Sequence, residues 1–505
     1  MRRFAALVLG ASLLVLPACG KKTDETARAA GITPPTALAF FSVNLSPSIE
    51  QKRNLLGLAR RFPDASDKVK GEFENTRDDV LENVLESSGL DYAKDVKPWL
   101  DKEAAVVVLP PGDSDSPLFL ALVQTEDKAK AEAAIAKATK AGDFEGQYAV
   151  VDDFVVISDQ DDHADDKRAL DLISAQAKKD DGGLAKAASF TKVVDELAGD
   201  RLLLGWIDSK ASLDVAEKLG GLDDAGFLKG LGGKGSIAFD MHVESKALVF
   251  QGVAEASGEG KGSTFELTRS LPASTLAAFT SFNAGDGAIK GLKDLGGVGG
   301  ADFVAEIEES TGIKLGEDVL SWMKGEAVLT VGSIRPGQQF PDFAFVVEPT
   351  DKEKATAGIE HIRQALEDKG IPIEEREIGG AKAYLAPEPF AEGIQPAMAL
   401  YPDRFVLANS PAYLGDLAKA ATPGLGSNDT YESLIGKNGS GTTGQVVLII
   451  DPIREAIEKA AAGFGADLAG YEKDVKPNLE PLSAFGVKVA RDGDFNKFEI
   501  KLTVD

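Results

Sequence analysis

The chain has 505 residues, of which 43% are hydrophobic and 27% are charged, and its formal net charge is −26. This length is enough for about two to four globular domains with well-formed hydrophobic cores. The acidic balance argues against nucleic acid as a partner, because the field of the whole protein would repel a polyanion.

The first residues have the layout of a secretory signal. Arg2–Arg3 form a positively charged start, and Ala5–Leu16 form an apolar run that is too short to span a bilayer as a helix. The small residue Ala18 precedes the single cysteine, Cys19, within the sequence LPAC. This sequence resembles the bacterial lipobox, so we predict that residues 1–18 are removed as a lipoprotein signal peptide. The alternative is an ordinary secreted protein in which the cysteine falls at this position by chance.

Cys19 is therefore the predicted lipidation site, carrying acyl chains such as palmitate. Two acyl chains hold a protein stably on a bilayer, at about 0.8 kcal/mol per buried methylene. The polar segment 19–33 is then a lipidated tether, and the predicted location is the cell envelope, anchored to a membrane. With its single cysteine acylated, the chain would form no internal disulfide.

The second half of the chain repeats the first. Val84–Trp99 resembles Ile307–Trp322, and further similar segments follow in the same order in both halves. The further pairs are Leu38–Asn44 with Leu276–Asn283, Phe119–Val123 with Phe343–Val347, Phe154–Ile157 with Phe405–Leu407, Leu203–Asp208 with Val447–Asp451, and Ile237–Val243 with Ala484–Val489. Matches that keep their order favour duplication over chance. We predict two tandem repeats, 34–257 and 271–505, joined by the Gly-rich segment 258–270.

Hydrophobic periodicity predicts both strands and helices in these repeats. In segment 498–504 apolar and polar residues alternate, which predicts a strand with one buried face. Tyr148–Val151 and Phe154–Ile157 are separated by a short polar link and predict an antiparallel hairpin. In Lys352–Lys369 apolar residues recur at helical spacing. We therefore expect an α+β fold, with two tandem copies of a mainly antiparallel sheet that has helices packed on one face.

The sequence lacks the common motifs for catalysis and for metal or cofactor binding. The histidines His163, His242 and His361 lie far apart, and we interpret His242 and His361 as surface residues on the polar sides of their elements. There is no GxSxG motif and no free thiol to act as a nucleophile. Residues 230–235 fit GxGxxG, but a predicted strand follows where nucleotide binding needs a helix N-terminus. We predict no catalytic residue, no metal site and no cofactor.

Two other features are interpreted as structural. The acidic segment 159–166 has oxygen ligands of the type that calcium prefers, but their order differs from an EF-hand loop, so we expect a solvated acidic loop. Trp99, Trp206 and Trp322 could form a carbohydrate platform, but two of them recur at equivalent repeat positions beside apolar strands. We therefore expect them to pack in the core.

The first repeat contains a distinctive combination of short segments. It comprises Pro34–Pro47 (PPTALAFFSVNLSP), Gln51, Lys52, the triplet Arg61–Pro63 (RFP) and Asp91–Trp99 (DYAKDVKPW). This combination resembles the bacterial envelope proteins grouped as domain of unknown function 3352. The resemblance extends more weakly over the second repeat, which lacks the RFP triplet. Because that family has no established activity, the resemblance implies an envelope protein and assigns no site residue.

Three classes of function remain open. We favour a non-catalytic binding or scaffold protein of the cell envelope, because the sequence repeats one unit and lacks a catalytic motif. The second class is a carrier of a lipid or other apolar ligand, which needs an apolar cavity. The third is a hydrolase with paired carboxylates, which 81 acidic residues leave open. The expected partners are a membrane, through the lipid on Cys19, and an apolar ligand or an envelope protein, with no nucleic acid.

Overall fold

The computed structural model describes residues 27–66, 78, 81–82, 91–112, 116–141, 146–160, 163–179, 181–197, 199–218, 235–256, 264–283, 308–309, 312–335, 338, 340–390, 394–436, 441–463 and 468–505. The chain divides into two compact units. These are Met1–Glu259 with Pro477–Pro481 and Asp492–Asp505, and Gly260–Lys476 with Leu482–Arg491. The C-terminal strand thus lies in the first unit, and the predicted repeat boundaries stay a prediction.

The first unit contains an antiparallel sheet. Its strands are β1 (Ala39–Asn44), β2 (Leu100–Leu109), β3 (Leu118–Thr125), β4 (Gln147–Val151), β5 (Phe154–Ser158), β6 (Leu203–Asp208), β7 (Ser236–Glu244), β8 (Ala247–Glu255) and the C-terminal strand Phe495–Val504. Their spatial order is β4, β5, β3, β2, β1, β6, β7, β8 and the C-terminal strand. The predicted hairpin, which is β4 and β5, and the predicted C-terminal strand are both confirmed.

Helices pack on both faces of this sheet. They are α1 (Arg28–Ile32), α2 (Ile49–Ala59), α3 (Pro63–Ser66), α4 (Lys128–Ala141), α5 (His163–Ala177), α6 (Ala188–Val194) and α7 (Ser209–Lys218), with a π-helix at Tyr92–Val96 and a 3-10 helix at Gly183–Lys186. Residues of α1, α5 and α6 form a core with Phe154 and Val156 of β5. Residues of α4 pack with Val155 and Ile157, which point to the opposite face. The expectation of helices on one face is therefore wrong here, because β5 is buried on both sides.

The second unit also contains an antiparallel sheet. Its strands are β9 (Ala277–Phe282), β10 (Glu326–Val331), β11 (Phe343–Val347), β12 (Glu374–Ile378), β13 (Ala381–Leu385), β14 (Ala397–Leu400), β15 (Phe405–Ala408), β16 (Thr442–Ile449) and β17 (Leu482–Asp492). Their order is β12, β13, β14, β15, β11, β10, β9, β16 and β17. The mixed fold with antiparallel sheets is the α+β class expected from the sequence.

The remaining helices lie in the second unit, except that Pro477–Leu479 of the last one belong to the first unit. They are α8 (Glu266–Arg269), α9 (Lys352–Asp368), α10 (Pro411–Asp416), α11 (Asp429–Ile435), α12 (Ile450–Gly463) and α13 (Lys476–Leu479), with π-helices at Leu315–Val319 and Tyr471–Val475 and 3-10 helices at Leu320–Trp322 and Leu425–Ser427. Residues of α8, α10 and α11 pack on one sheet face with Val328 and Val346. Helix α9, which the sequence predicted, packs on the other face with Val347 and Phe405. Helices on both faces again correct the one-face expectation.

The tryptophans are buried, as predicted from the sequence. Trp99 donates a hydrogen bond from Nε1 to the backbone oxygen of Asp95 at 2.5 Å. Trp322 donates the equivalent bond to the backbone oxygen of Asp318 at 2.8 Å. Trp206 lies in the core of the first unit. These residues therefore serve packing, and a carbohydrate platform made of them is excluded.

Candidate functional site

One face of the second sheet carries exposed apolar side chains. The other face of strands β9, β10 and β15 is buried under α8, α10 and α11. When an antiparallel sheet buries one face, its second face is commonly solvated and polar. Here that second face carries Phe279, Leu329 and Leu407, which are 42%, 47% and 44% exposed. A group of large apolar side chains in contact with water marks an interaction surface.

Strand register places these residues in one row across the sheet. Each residue of the row pairs directly with the next, so all of them point to the same face. The row, which we call the apolar row, consists of Leu407, Phe345, Leu329, Phe279, Val446 and Val487 on β15, β11, β10, β9, β16 and β17. Because adjacent strands lie about 4.8 Å apart, the row is about 24 Å long.

Helix α9 covers the sheet beside one end of this row. It packs on Val347 and Phe405, while the row toward β16 stays open. Next to the open part, the small residues Ser281 and Gly444 pair across β9 and β16. A shallow groove of about 300 Å³ lies there, and its lining includes Phe279, Val446, Val487 and Val489. The face therefore combines a ridge of apolar side chains with a depression beside it.

Buried hydrogen bonds on the opposite side of the same strands support the row. Glu326 of β10 accepts bonds of 2.6 Å from both the backbone N–H and the hydroxyl of Thr268 in α8. The Thr268 hydroxyl lies 2.8 Å from the hydroxyl of Thr280 on β9. Gln445 of β16 donates from Nε2 to the Tyr431 hydroxyl of α11 at 3.1 Å. These bonds fix the three central strands to the helices beneath them.

Glu326 lies on β10, three positions before Leu329 of the row. Burial raises its pKa, and the hydrogen bonds from Thr268 and Leu267 oppose that shift. Its carboxylate points away from the apolar row, because Glu326 and Leu329 are an odd number of positions apart on one strand. Its role is therefore to hold α8 on the sheet.

The apolar row offers contact area and no reactive group. Its six side chains are Leu, Phe and Val, which have no ionisable group, no nucleophile and no hydrogen-bond donor. Burial of each such side chain yields about 1.5–3 kcal/mol. A few side chains buried at the centre of an interface carry most of its binding energy. The arrangement is suited to binding an apolar partner.

The structure pairs each histidine with a carboxylate. The Nδ1–Oδ distances are 3.2 Å for His163 with Asp166, 3.1 Å for His242 with Asp240, and 3.0 Å for His361 with Asp318. The surface assignment of His361 is confirmed, because its side chain is about half exposed. The surface assignment of His242 is wrong, because its side chain is 15% exposed and contacts a fully buried carboxylate. Helix α2 packs on β7, where Gln51 and Asn54 donate hydrogen bonds to the backbone oxygen of the next residue, Val243.

The acidic segment is less solvated than predicted. Asp165 and Asp166 are buried in the first turn of α5, and Asp166 accepts a 2.8 Å bond from the backbone N–H of Gln160. The expected solvated loop is wrong for these two residues, whose negative charges suit a helix N-terminus. No cluster of three or more His, Cys, Asp or Glu side chains that could hold a metal ion occurs within the described ranges.

Several predicted features lie outside the described residues. They are Cys19 with its leader, Asp161, Asp162, Gly230 and Gly232. Gly235, the last glycine of the GxGxxG pattern, directly precedes β7, so the strand expected there is confirmed. In the part of the chain that the structure describes, every helix is too short or too polar to cross a bilayer. The lipid anchor stays a prediction.

The apolar row was missed by the sequence analysis. A signal for it exists in β9, β10 and β16, where apolar residues occupy successive positions instead of alternating with polar ones. Examples are Ala278–Phe279, Val328–Leu329 and Val446–Val447. Such pairs indicate a strand with two apolar faces. They leave open whether the second face contacts a helix or water.

The fold and this surface define an α+β protein with antiparallel sheets and an open apolar face. The family model described as Protein of unknown function (DUF3352) matches residues 4–504. The chain therefore belongs to this family, and the resemblance predicted from the sequence is confirmed. No curated protein and no solved structure matches the chain.

Proposed function

We propose that the chain is a lipid-anchored, non-catalytic binding protein of the bacterial cell envelope, and that the apolar row is its binding surface. The row across six strands, in which Phe279, Leu329 and Leu407 are exposed, is the observation that carries the binding role. The leader and the LPAC sequence support export and attachment at Cys19. The acidic charge of the body favours a partner without a strongly negative surface.

The partner proposed for the row is another envelope protein with an apolar patch. The row is open and about 24 Å long, so it fits a segment that lays its apolar side chains across several strands. A central apolar patch with a polar rim is the usual composition of such an interface. The groove beside Gly444 favours a second candidate, the binding of one acyl chain, because apolar side chains line most of it.

We also propose that the two units derive from duplication of one ancestral unit, in the tandem arrangement expected from the sequence. Trp99 and Trp322 make the same bond to a backbone oxygen four positions earlier. The central strands have corresponding orders, β3, β2, β1, β6, β7 in one unit and β11, β10, β9, β16, β17 in the other. Both observations support a common origin.

Site-specific photo-crosslinking in living cells tests the proposed surface. A photoreactive phenylalanine analogue replaces Phe279 or Leu329 in the full-length chain. Phe390 is the matched control, because it is a large apolar residue of the same unit that is 72% exposed and lies outside the row. We expect an adduct of one defined mass from both row positions and none from Phe390.

A charged substitution distinguishes docking from chance contact. Leu329→Asp should abolish the adduct formed at Phe279, because burying an unpaired carboxylate at an interface is unfavourable. The unfolding midpoint should change little, since Leu329 is about half exposed. A lipid of defined mass that co-purifies in native mass spectrometry, and is lost in Leu329→Asp, would favour the acyl-chain candidate. Equal adducts at all three positions, or none at the row, would contradict the proposal.

A further inference from the structure

A buried carboxylate in the first unit holds the last residues of the predicted tether. Glu103 lies on β2, and its Oε2 accepts a 3.1 Å bond from the backbone N–H of Ala29 in α1. The side chain is buried, and among the described residues its Oε1 has no hydrogen-bond partner. Such a carboxylate is costly to keep charged, because water no longer solvates it and protein groups replace only part of that solvation.

The second unit holds the same kind of contact in a more complete form. Glu326 follows Trp322 by four positions, as Glu103 follows Trp99. At the start of α8, Glu326 accepts bonds from two backbone N–H groups and from the Thr268 hydroxyl, at 2.6–2.8 Å. These donors stabilise a negative charge on Glu326. Glu103 has no hydroxyl donor of this kind in the described contacts, so its charged form is less well supported.

The charges around Glu103 do not offset the cost of burial. Arg28 in α1 acts on the carboxyl, but its guanidinium pairs with Asp153 at 2.7 Å. Burial raises the pKa of Glu103 to about 8, against the opposing effect of its backbone hydrogen bonds and Arg28. The other charged groups acting in this region are Asp101, Lys102 and Glu126. At neutral pH the folded protein therefore keeps a proton on Glu103.

Helix α1 forms the end of the predicted tether and packs on the first unit. Ala29 and Ala30 are fully buried in its core. The backbone oxygen of Thr33 accepts a 2.8 Å bond from the backbone N–H of Leu184. If residues 27–33 left the first unit, they would lengthen the free part of the predicted tether by up to about 24 Å, at about 3.5 Å per residue.

We propose that Glu103 is a proton-operated latch, which seats α1 firmly on the first unit at acidic pH and loosens it as the pH rises. When α1 opens, water reaches the carboxyl and its pKa returns toward the ordinary value of 4.5. As the pH rises, the open form loses the proton at a lower pH than the closed form does. The equilibrium constant for opening therefore grows about tenfold per pH unit between the two pKa values. The effect on tether length rests on the proposed lipid anchor, whereas the latch itself does not.

Hydrogen exchange of the mature chain purified from cells tests the latch. Protection of the peptide that covers residues 28–33, corrected for intrinsic exchange at each pH, should fall about 100-fold between roughly pH 5.5 and 7.5 and level off above about pH 8.5. Glu103→Gln should remove this dependence. Glu326→Gln, the matched control in the second unit, should leave it unchanged. Equal protection at both pH values in the unsubstituted chain, or an unaltered fall in Glu103→Gln, overturns the latch.

A second measurement needs no substitution. Trypsin cleavage after Arg28 in the folded chain should become faster over the same pH range, relative to cleavage of a free peptide with the same sequence. A constant ratio would also overturn the proposal. Neither measurement depends on the apolar row or on membrane attachment, so failure of the latch and failure of the proposed function are distinguishable.

Discussion

Replacing Trp322 by Ala should strongly destabilise the second unit. The indole is fully buried, its ring centre lies 5.4 Å from that of Phe405 in an edge-to-face contact, and Nε1 donates to the backbone oxygen of Asp318. Loss of a buried aromatic side chain costs about 3–5 kcal/mol. The unpaired Asp318 oxygen adds about 1–3 kcal/mol if it stays buried. We therefore expect Trp322→Ala to lower the free energy of unfolding by about 4–8 kcal/mol.

Urea unfolding of residues 20–505, followed by circular dichroism, measures this cost. Trp322→Phe retains most of the ring contact and loses the hydrogen bond, so it should cost about 1–3 kcal/mol. Trp99→Ala is the matched variant in the first unit, where the same bond is made to Asp95. If Trp322→Ala unfolds within about 1 kcal/mol of the unsubstituted chain, the residue is not part of a tightly packed core and the reasoning fails.

Cys19→Ala should move the protein from the membrane fraction to the soluble fraction of the envelope; retention in high salt with no unprocessed leader would refute the lipid anchor. Gly205→Ala should lower the free energy of unfolding in urea by about 1–3 kcal/mol, because the new Cβ would lie 2.2 Å from the ring of Phe239. The control is Gly444→Ala, where the nearest atom to the new Cβ is 3.7 Å away. This variant should change the stability by less. Glu103→Gln should flatten the pH dependence of stability. The pKa of Glu103 rises from 4.5 to about 8 on folding. The proton on Glu103 therefore stabilises the fold fully below about pH 4.5, and this stabilisation decreases as the pH rises and is gone above about pH 8. Its largest value is about 5 kcal/mol. An equal pH dependence in Glu103→Gln would refute that assignment.

Local periodicity was sufficient to predict individual elements. The hairpin of β4 and β5 and helix α9 lie within one residue of their predicted bounds, and the C-terminal strand begins three residues before its predicted start. Each of these predictions depends on side chains that are close in sequence, and the repeat distances of 2.0 and 3.6 residues follow from backbone geometry alone. Burial of Trp99 and Trp322 was predictable for a related reason, because both recur beside apolar strands.

The candidate site depends on contacts that the sequence does not encode locally. Phe279 and Val446 become neighbours only through the register of β9 with β16. Whether a second apolar face is covered depends on where a helix docks, as β5 and β10 illustrate. Both strands carry apolar residues on both faces, but α4 covers β5 whereas Leu329 of β10 stays exposed. A sequence pattern predicts a second apolar face on a strand but does not predict whether a helix packs on that face.

The corresponding face of the first unit shows why the open row is assigned to the second. Phe41 occupies the register of Phe279, and its neighbour on β6 is Gly205 where the second unit has Val446. Because Gly205 has no side chain, the ring of Phe239 lies over it and reaches a centre-to-centre distance of 6.0 Å from Phe41. Those rings bury part of one another's apolar surface, whereas the second unit has Val446 and Val487 at the registers of Gly205 and Phe239 and so has no second ring beside Phe279. Two differences at matched registers, Gly205 to Val446 and Phe239 to Val487, thus accompany the change from a face with packed rings to a face with an exposed Phe279.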